Sequence, residues 1–356
     1  MDFYRTLGEL KAAIDKQIQL QLDGAIKDAQ AKDQLIADSL MHIKKIALAG
    51  GKRLRGALLC QAYFGFGGKD KKKILKVAAA IELVHLFLLV HDDIIDRGNL
   101  RHGEATLHQM LAKKYQKKLG TSEALHFGSS MAIIVGDMLY AMANKIILEA
   151  GFDHEIATKA LNKLQSVVNT TIIGQSQDIN ISYGSKVTEV QVLSMYENKT
   201  ARYTFEGPLH MGAILAGSND KKSLELLCAY SVPLGIAFQI QDDILGVLAE
   251  DKKIGKSAAS DIEEGKKTLL VIKAYSLASS MQTRQLDAIL GKKNLTGKEI
   301  TLFRKLLIDT GALEYNKNLA AENLKLGKRE IEKIIILPAA KKFLIGLVEY
   351  LEKREI

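Results

Sequence analysis

The sequence contains little that would interrupt a helix or staple a small fold. Only three of its 356 residues are proline, and tryptophan is absent. Few prolines, together with abundant leucine, isoleucine, alanine, lysine and glutamate, predict long helices. The two cysteines, Cys60 and Cys228, are far apart and lack metal-ligand spacing, so neither a disulfide framework nor a zinc site is expected. This composition fits a cytoplasmic protein best.

No segment has the pattern of a signal peptide or a membrane span. Residues 1–22 alternate charged and apolar residues at helical spacing, which predicts an amphipathic first helix. The most apolar run, residues 77–90, contains Glu82 and His85 and is shorter than the roughly 20 residues that a bilayer span needs. We therefore expect no transmembrane segment.

A basic arm is also missing, although the net charge is +9. The lysines occur in separate short groups without interleaved aromatic residues, so nucleic-acid binding is not expected. Most of these cations should lie on solvated faces, and a few should bind an anionic small molecule. The hydrophobic fraction of 47% and the charged fraction of 26% are those of a globular protein.

Helical periodicity recurs along the chain between short polar breaks, none of which resembles an interdomain linker. Strand-like alternation and low-complexity segments are not found. The sequence therefore predicts a single all-α domain over residues 1–356. At ordinary helix lengths it would be a bundle of roughly ten or more helices.

Acidic residues end an apolar run in LLVHDDIID, residues 88–96. Asp92 and Asp96 are four residues apart, so on a helix their carboxylates project from one face, one turn apart. Asp93 lies about 100° around the axis. Such carboxylates repel one another and are costly to bury unless a cation binds them. Taken alone, the pair could also be a helix end or a solvated turn.

A second acidic pair follows an apolar run in AFQIQDDILG, residues 237–246. Gln239, Asp242, Asp243 and Gly246 fall at i, i+3, i+4 and i+7, which predicts one stripe of a helix. Pro233 is expected near the start of that helix, and the glycine is expected to leave room for a ligand. Two clusters of hard oxygen donors, without a histidine and cysteine set, indicate Mg²⁺.

Positive residues that suit a phosphate group occur in GGKRLRG, residues 50–56. Lys52, Arg53 and Arg55 follow a glycine pair that should end one helix and open another. Arginine forks, a lysine point charge and a helix N-terminus all bind oxyanions, although a solvated loop would have the same composition. Further cations and a histidine accompany the acidic segments: Arg101, His102, Lys199, Lys256 and Lys266.

Together, GGKRLRG, DDIID and DDILG resemble the motifs of the trans-isoprenyl diphosphate synthases, or polyprenyl synthetases, over nearly the whole chain. The closest resemblance is to geranylgeranyl diphosphate synthases. It implies an isoprenoid-synthase-type helical bundle around a central cavity and head-to-tail condensation of isopentenyl diphosphate with dimethylallyl, geranyl or farnesyl diphosphate. It also implies a homodimer and Mg²⁺, with three ions in each active site and Mn²⁺ as a substitute.

The resemblance assigns roles to individual residues. The metal ligands would be Asp92, Asp96, Asp242 and Asp243. Isopentenyl diphosphate would bind Lys52, Arg55 and His85, with His102 where the family usually has an arginine. The allylic diphosphate would be surrounded by Arg101, Lys199, Thr200, Gln239, Lys256 and Lys266, while Tyr203 lines the site. Gln175 and Asp178 match a polar motif that faces the cavity.

The same resemblance implies ionisation followed by coupling. The metal ions, with Lys199, Arg101 and Lys256, would stabilise the departing diphosphate. The Thr200 hydroxyl, the Lys199 backbone carbonyl and the Gln239 amide oxygen would stabilise the allylic cation by their dipoles. The proton lost after coupling would go to the released diphosphate.

Product length in this family depends on bulky residues upstream of the first aspartates, which form the floor of a tunnel for the prenyl tail. Phe87, beside Leu88, occupies that place and predicts a geranylgeranyl product. Alternatively, Phe87 belongs to the core and the floor lies deeper.

Two residues depart from the family pattern. His102 predicts weaker and more pH-dependent isopentenyl diphosphate binding, and Gly246 stands where many members have a third aspartate.

Other functions compete with this interpretation. A farnesyl or longer-chain synthase would share all the motifs. A terpene cyclase on the same scaffold would not need Lys52, Arg55 and His85. A regulatory subunit of a heteromeric synthase would typically lose aspartates in one motif, whereas both pairs are present here.

Overall fold

The computed structural model describes residues 3–184, 186–218, 220–248 and 260–354. Within these ranges the regular structure is helical except for one short hairpin, which confirms the predicted all-α class. The chain forms two compact units, and each is described separately. Unit 1 contains Met1–Leu161 and Met211–Gly217, and unit 2 contains Asn162–His210 and Ser218–Ile356.

Unit 1 is built from long helices. They are α1 (Phe3–Gln30), α2 (Gln34–Ala49), α3 (Leu54–Gly65), α4 (Lys71–Ile95), α5 (Leu107–Leu119) and α6 (Thr121–Leu148). The first is the amphipathic helix that the sequence predicts, since Leu10, Ile14, Ile18 and Leu22 form a buried stripe along it. Asp70 is the N-cap of α4, and its side chain accepts hydrogen bonds from two N–H groups of the first turn.

The hairpin lies between α4 and α5. Strands β1 (Leu100–Arg101) and β2 (Glu104–Ala105) are antiparallel and are joined by His102 and Gly103. The φ angles of these two residues are 52° and 81°, as the favoured two-residue hairpin turn requires. The sequence shows no strand-like alternation here, because strands of two residues are too short to produce such a pattern.

Unit 2 contains most of α7 (His154–Tyr183) and a series of later helices. α8 (Glu189–Tyr196) leads into a π-helical segment, Glu197–Glu206, which is followed by α9 (Gly207–Leu215); from Met211 onward the residues of α9 belong to unit 1. The remaining helices are α10 (Lys221–Leu248), α11 (Ser260–Glu264), α12 (Leu269–Leu277), α13 (Ser280–Ile289), α14 (Gly297–Asp309), α15 (Ala312–Ile331) and α16 (Pro338–Glu352).

The prediction that Pro233 lies near the start of its helix is wrong. α10 begins at Lys221, where the Asp220 side chain accepts a hydrogen bond from the Ser223 N–H at 2.9 Å. Pro233 lies in the middle of this helix and is buried, as are its neighbours Ser231 and Leu234. Proline removes one backbone donor, so tertiary packing has to maintain the helix at this point.

Three helices in the described part of the chain, α4, α6 and α10, are long and apolar enough to cross a membrane, judged by length and composition alone. α4 extends well beyond the apolar run seen in the sequence, so shortness does not exclude it. However, 72% of its most apolar window is buried inside the protein. The absence of a transmembrane segment and the cytoplasmic location stay predictions.

Candidate active site

The first acidic pair lies at the carboxyl end of α4, in unit 1. The Asp96 N–H donates to the Asp92 carbonyl at 2.8 Å, so the two residues are one helical turn apart, as predicted. Both side chains are half-buried. This arrangement offers carboxylate oxygens that suit a hard divalent cation.

Asp93 has a different environment from its neighbours. It is buried and accepts hydrogen bonds from the Arg101 guanidinium, including one from Nε at 3.1 Å. Arg101, which the resemblance assigns to the allylic diphosphate, therefore forms an ion pair that joins the hairpin to α4. To bind a diphosphate it would have to share its donors with Asp93.

GGKRLRG forms the predicted break between α2 and α3, but its three cations are not equivalent. Arg53 is buried; its Nε donates to Asp15 at 2.6 Å and its Nη2 donates to the Ala47 carbonyl. It thus fixes α1 and α2 around the loop instead of serving a phosphate, which corrects the sequence interpretation. Lys52 is exposed and Arg55 is half-buried, in keeping with their proposed roles.

The residues proposed for isopentenyl diphosphate lie in one positive region of unit 1. Burial, with the charges of Arg55 and Arg101, lowers the pKa of His85 well below its usual value. Partial desolvation, followed by the charge of Arg101, also lowers the pKa of His102. The His102 ring lies against Gly50, where a Cβ would be 2.8 Å from Nδ1. The cations of this region favour an anionic ligand, and each neutral imidazole keeps one N–H group that donates to it.

Phe87, the proposed tunnel floor, is buried on α4. Its ring packs against Tyr140 of α6 and His91 of α4, with centroid distances of 4.9 Å and 4.8 Å. Leu88 is half-buried. These contacts fix the Phe87 ring, and its role in product length stays a prediction.

The second acidic pair lines a cavity of 510 Å³ in unit 2. Gln239, Asp242, Asp243 and Gly246 all contribute to its wall, which confirms that they form one stripe of α10. Among the other residues that the sequence proposed, the wall includes Asp178, Lys199 and Lys266. The volume is typical of a small-molecule site.

Asp243 is the most perturbed of these acids. It accepts hydrogen bonds from the Tyr196 hydroxyl and from the Gln239 amide, the latter at 2.8 Å. Burial raises its pKa to about 7; these hydrogen bonds oppose the shift, whereas the negative charges of Asp261 and Asp242 add to it. A bound cation would restore its charge near neutral pH.

The π-helical segment supplies polar groups close to this stripe. Lys199 donates to Asp178 at 2.6 Å, and the Thr200 hydroxyl donates to the Gln239 amide oxygen at 2.7 Å. That oxygen, proposed to stabilise a carbocation, is therefore already engaged by Thr200. Tyr203 is buried in the same segment, and neither it nor Gln175 is part of the cavity wall.

Besides Tyr196, which donates to Asp243, sequence reasoning missed two residues of the wall that reach the acidic stripe. A Cβ on Gly246 would lie 2.6 Å from the Asp261 carboxylate, so this acid fills the space that was expected to receive a ligand. Arg354 donates to Asp242 at 2.5 Å and lies over the Phe238 ring. Both come from later elements with no characteristic spacing to the motif, so no sequence signal pointed to them.

Two proposed lysines follow the second motif. Lys266 lies 3.4 Å from Asp261 and 3.2 Å from Glu264, at the cavity wall. Lys256 lies outside the described residues. Lys267, which was not proposed, donates to the Ser182 carbonyl at 3.2 Å and thereby contacts the end of α7.

The donor set fits magnesium better than zinc. In the described ranges no group of three or more histidine, cysteine, aspartate or glutamate side chains is arranged to hold a metal. Mg²⁺ commonly uses one or two carboxylates and completes its octahedron with water and substrate phosphate. Pairs such as Asp92 with Asp96, and Asp242 beside Asp243, meet that requirement.

Comparison with known proteins agrees with this chemistry. A model of the polyprenyl synthetase family matches residues 36–306. A geranylgeranyl diphosphate synthase from Methanosarcina mazei is 33% identical over 307 residues, covering 86% of this chain and 87% of that protein. A geranylfarnesyl diphosphate synthase from Aeropyrum pernix is 31% identical over 327 residues, covering 90% of this chain and 95% of that protein.

A solved structure extends the match to the fold. The crystal structure of a geranylgeranyl pyrophosphate synthase from Corynebacterium glutamicum, complexed with isoprenyl diphosphate and magnesium, aligns with a TM-score of 0.92. The two are 26% identical, and the alignment covers 98% of this chain and 99% of that one. This confirms the isoprenoid-synthase-type fold. The chain belongs to the polyprenyl synthetase family and is a trans-prenyltransferase.

Proposed function

We propose that this protein condenses isopentenyl diphosphate with an allylic diphosphate and releases mainly geranylgeranyl diphosphate. The observation that carries the proposal is the stripe of Gln239, Asp242, Asp243 and Gly246 along the wall of one cavity, beside the cations Lys199 and Lys266. Acids that bind divalent ions next to cations that bind phosphate oxygens are the groups that a diphosphate leaving group requires. The geranylgeranyl product is supported by the Methanosarcina mazei relative and by Phe87.

Each acidic motif would hold Mg²⁺ through its aspartates: Asp92, Asp96, Asp242 and Asp243. The bound ions would offset negative charge that develops on the leaving diphosphate. Three ions in each site, and activity with Mn²⁺, are part of the proposal. The magnesium in the Corynebacterium glutamicum complex supports the choice of a divalent ion.

The residues of unit 2 would act on the allylic diphosphate. The Lys199 ammonium is 2.6 Å from Asp178, so a diphosphate oxygen would compete with that carboxylate for its donors. The Thr200 hydroxyl is fixed by Gln239, and Gln239 is in turn fixed by Asp243. These bonds orient polar groups before the substrate arrives, which lowers the cost of reorganisation during ionisation.

The residues of unit 1 would hold isopentenyl diphosphate. Lys52 and Arg55 would bind its oxygens, with His85 and His102 as neighbouring donors. The double bond would attack the allylic cation, and the proton released from the adjacent carbon would go to the liberated diphosphate.

The proposed assembly is a homodimer. α6 exposes several large apolar residues, and Leu125, Ile133, Ile134 and Leu148 are each between 44% and 52% exposed. Ile133, Ile134 and Leu148 fall within about 100° around the axis of α6, and exposed apolar side chains on one side of a helix are typical of an interaction face. Sedimentation of the purified protein should give twice the mass of one chain, and replacing Ile134 with lysine should shift it toward the monomer.

Product sizing tests the proposed reaction. Purified protein is incubated with isopentenyl diphosphate, Mg²⁺ and dimethylallyl, geranyl or farnesyl diphosphate in turn, and the dephosphorylated alcohols are separated by length. We expect the C20 alcohol to dominate with every primer. A C15 or C25 product would support the alternatives of a farnesyl or longer-chain synthase, and no product without an added synthase subunit would support a regulatory role.

Matched variants separate the chemistry from folding. Asp92→Asn and Asp242→Asn should each lower turnover by about 100-fold or more, because they remove charge from the proposed metal sites. Asp23→Asn is the control, since this carboxylate of α1 forms an ion pair with Lys44 on α2. Equal turnover in all three variants would contradict the proposed metal sites.

A further inference from the structure

The π-helical segment Glu197–Glu206 carries two of the proposed catalytic groups, Lys199 and Thr200. π-Helices are rare, usually occupy a single turn, and are often found at functional sites. This one is ten residues long and lies between ordinary α-helices. Specific contacts must therefore stabilise it relative to an α-helix over the same residues.

Arg202 makes the contact that distinguishes the two conformations. Its Nη2 donates to Glu197 at 2.5 Å and its Nη1 donates to Glu206 at 2.5 Å. Five residues turn an α-helix through about 500°, which would place Glu197 and Arg202 about 140° apart around the axis. In a helix with i→i+5 hydrogen bonds they share a face. The bond to Glu197 therefore favours the π-helical conformation.

The other end of this bridge is anchored in the core. Glu206 is 4% exposed and also accepts a hydrogen bond from Lys163 of α7 at 2.6 Å. His210, on α9, lies 3.6 Å from the same carboxylate. Arg202 thus links a half-exposed glutamate at the start of the segment to a buried, multiply bonded glutamate at its end.

Two glycines fix the backbone on either side of Thr200. A Cβ on Gly174 of α7 would lie 2.4 Å from the Lys199 backbone nitrogen, and a Cβ on Gly235 of α10 would lie 2.3 Å from the Ala201 Cα. Both helices therefore pack directly against the backbone of the segment. This close packing leaves little space for a change to α-helical geometry.

We propose that Arg202 is a positioning residue for prenyl transfer: through Glu197 it holds the π-helical register that places Lys199 beside Asp178 and Thr200 beside Gln239. Arg202 acts through these residues and is not part of the cavity wall. The inference rests on the proposed function, because Lys199 and Thr200 are the groups that meet the allylic diphosphate there.

Conservative variants of the bridge test this inference. Glu197→Gln removes one charge from a side chain that is 35% exposed, so the protein should still fold. Arg202→Lys keeps the charge but has a single ammonium in place of a fork. The control is Lys114→Gln, which breaks an ion pair of comparable exposure between α5 and Asp38 of α2. For each protein kcat, both KM values and the thermal midpoint are measured.

Both bridge variants should lower kcat about tenfold, a loss of about 1.4 kcal/mol in transition-state stabilisation. The KM for isopentenyl diphosphate should stay within about twofold, and the control should retain wild-type kinetics. Wild-type kcat in both bridge variants would overturn the inference. A lower thermal midpoint with unchanged kcat would also overturn it, since that pattern indicates a purely structural role.

A binding measurement separates this inference from the proposed function. Calorimetry with inorganic diphosphate and Mg²⁺ should give an affinity about tenfold weaker for Glu197→Gln than for the wild type, because Lys199 is misplaced. An inactive wild type would count against prenyl transfer, and the calorimetric comparison would still decide the role of Arg202. Equal affinities would overturn the positioning role.

Discussion

Phe87 on α4 and Tyr140 on α6 pack ring against ring, with centroids 4.9 Å apart and planes inclined by 31°. This contact holds the phenyl group in a fixed place five residues before Asp92. If Phe87 is the floor of the prenyl tunnel, Phe87→Ala should extend the dominant product beyond C20. The measurement is the chain-length distribution of dephosphorylated products from a single primer.

Leu86→Ala provides the matched control for that experiment. Leu86 is also buried, but it lies about 100° around α4 from Phe87. Both truncations should destabilise the protein by about 2 to 5 kcal/mol, so general loosening would affect them alike. A C20 product from Phe87→Ala, or equal lengthening by both variants, would show that the floor lies elsewhere.

His102 should make isopentenyl diphosphate binding depend on pH. Desolvation and the charges of Arg101 and Arg53 lower its pKa below the usual 6.5, so the imidazole is neutral at pH 7 in the free protein. A bound diphosphate favours the protonated imidazole, and binding should strengthen as the pH falls. We expect the KM for isopentenyl diphosphate to rise by about three- to tenfold between pH 6 and 8.

His102→Arg isolates this effect from titration of the substrate itself. The arginine stays charged throughout the range, so its KM should rise less steeply and should be lower than that of the wild type at pH 8. Parallel KM profiles for the two proteins would rule out a contribution of His102.

His210 should make unit 2 less stable in mild acid. Burial lowers its pKa to about 4, and its Nε2 donates to the Leu224 carbonyl at 2.9 Å. Between pH 6.5 and 4 the unfolded chain binds a proton that the folded protein excludes, so the free energy of unfolding falls as the pH falls. From pH 7 to 5 this one residue should cost about 2 kcal/mol.

Urea unfolding at the two pH values measures this cost. His210→Gln cannot be protonated, and its amide can still donate toward Leu224. The drop in unfolding free energy between pH 7 and 5 should therefore be smaller in the variant by about 2 kcal/mol. The same drop in both proteins would assign the acid sensitivity to other groups.

Gly235 should tolerate no side chain. A methyl group there would meet the Ala201 Cα at 2.3 Å and the Phe205 ring at 3.2 Å, so the π-helical segment would have to move. Gly235→Ala should cost about 1 to 3 kcal/mol of stability and also lower kcat. Gly24→Ala in α1, where no neighbour lies within 4 Å, should be neutral or stabilising by up to about 1 kcal/mol. The thermal midpoints and kcat values of Gly235→Ala and Gly24→Ala check this prediction. Equal midpoints and equal kcat in the two variants would contradict the close packing of α10 on the π-helical segment.

Much of the site follows from local spacing. The i, i+3, i+4, i+7 stripe from Gln239 to Gly246 could be predicted because a helix repeats every 3.6 residues whatever surrounds it. The turn between Asp92 and Asp96 and the helix break at GGKRLRG have the same local origin. The hairpin at His102 could not be predicted, because its two-residue strands depend on contacts with α4 and α2, such as Arg101 with Asp93 and Lys45 with Glu104.

The sequence by itself determined the helical class and the family, because periodicity and short motifs are encoded in neighbouring residues. Only the tertiary structure decided which charged groups are available. It buried Arg53 against Asp15, brought Asp261 into the space beside Gly246 and placed Arg354 on Asp242. It also converted residues 197–206 into a π-helix. Such pairings join residues far apart in the chain, and their energies depend on burial and distance, which a linear pattern does not contain.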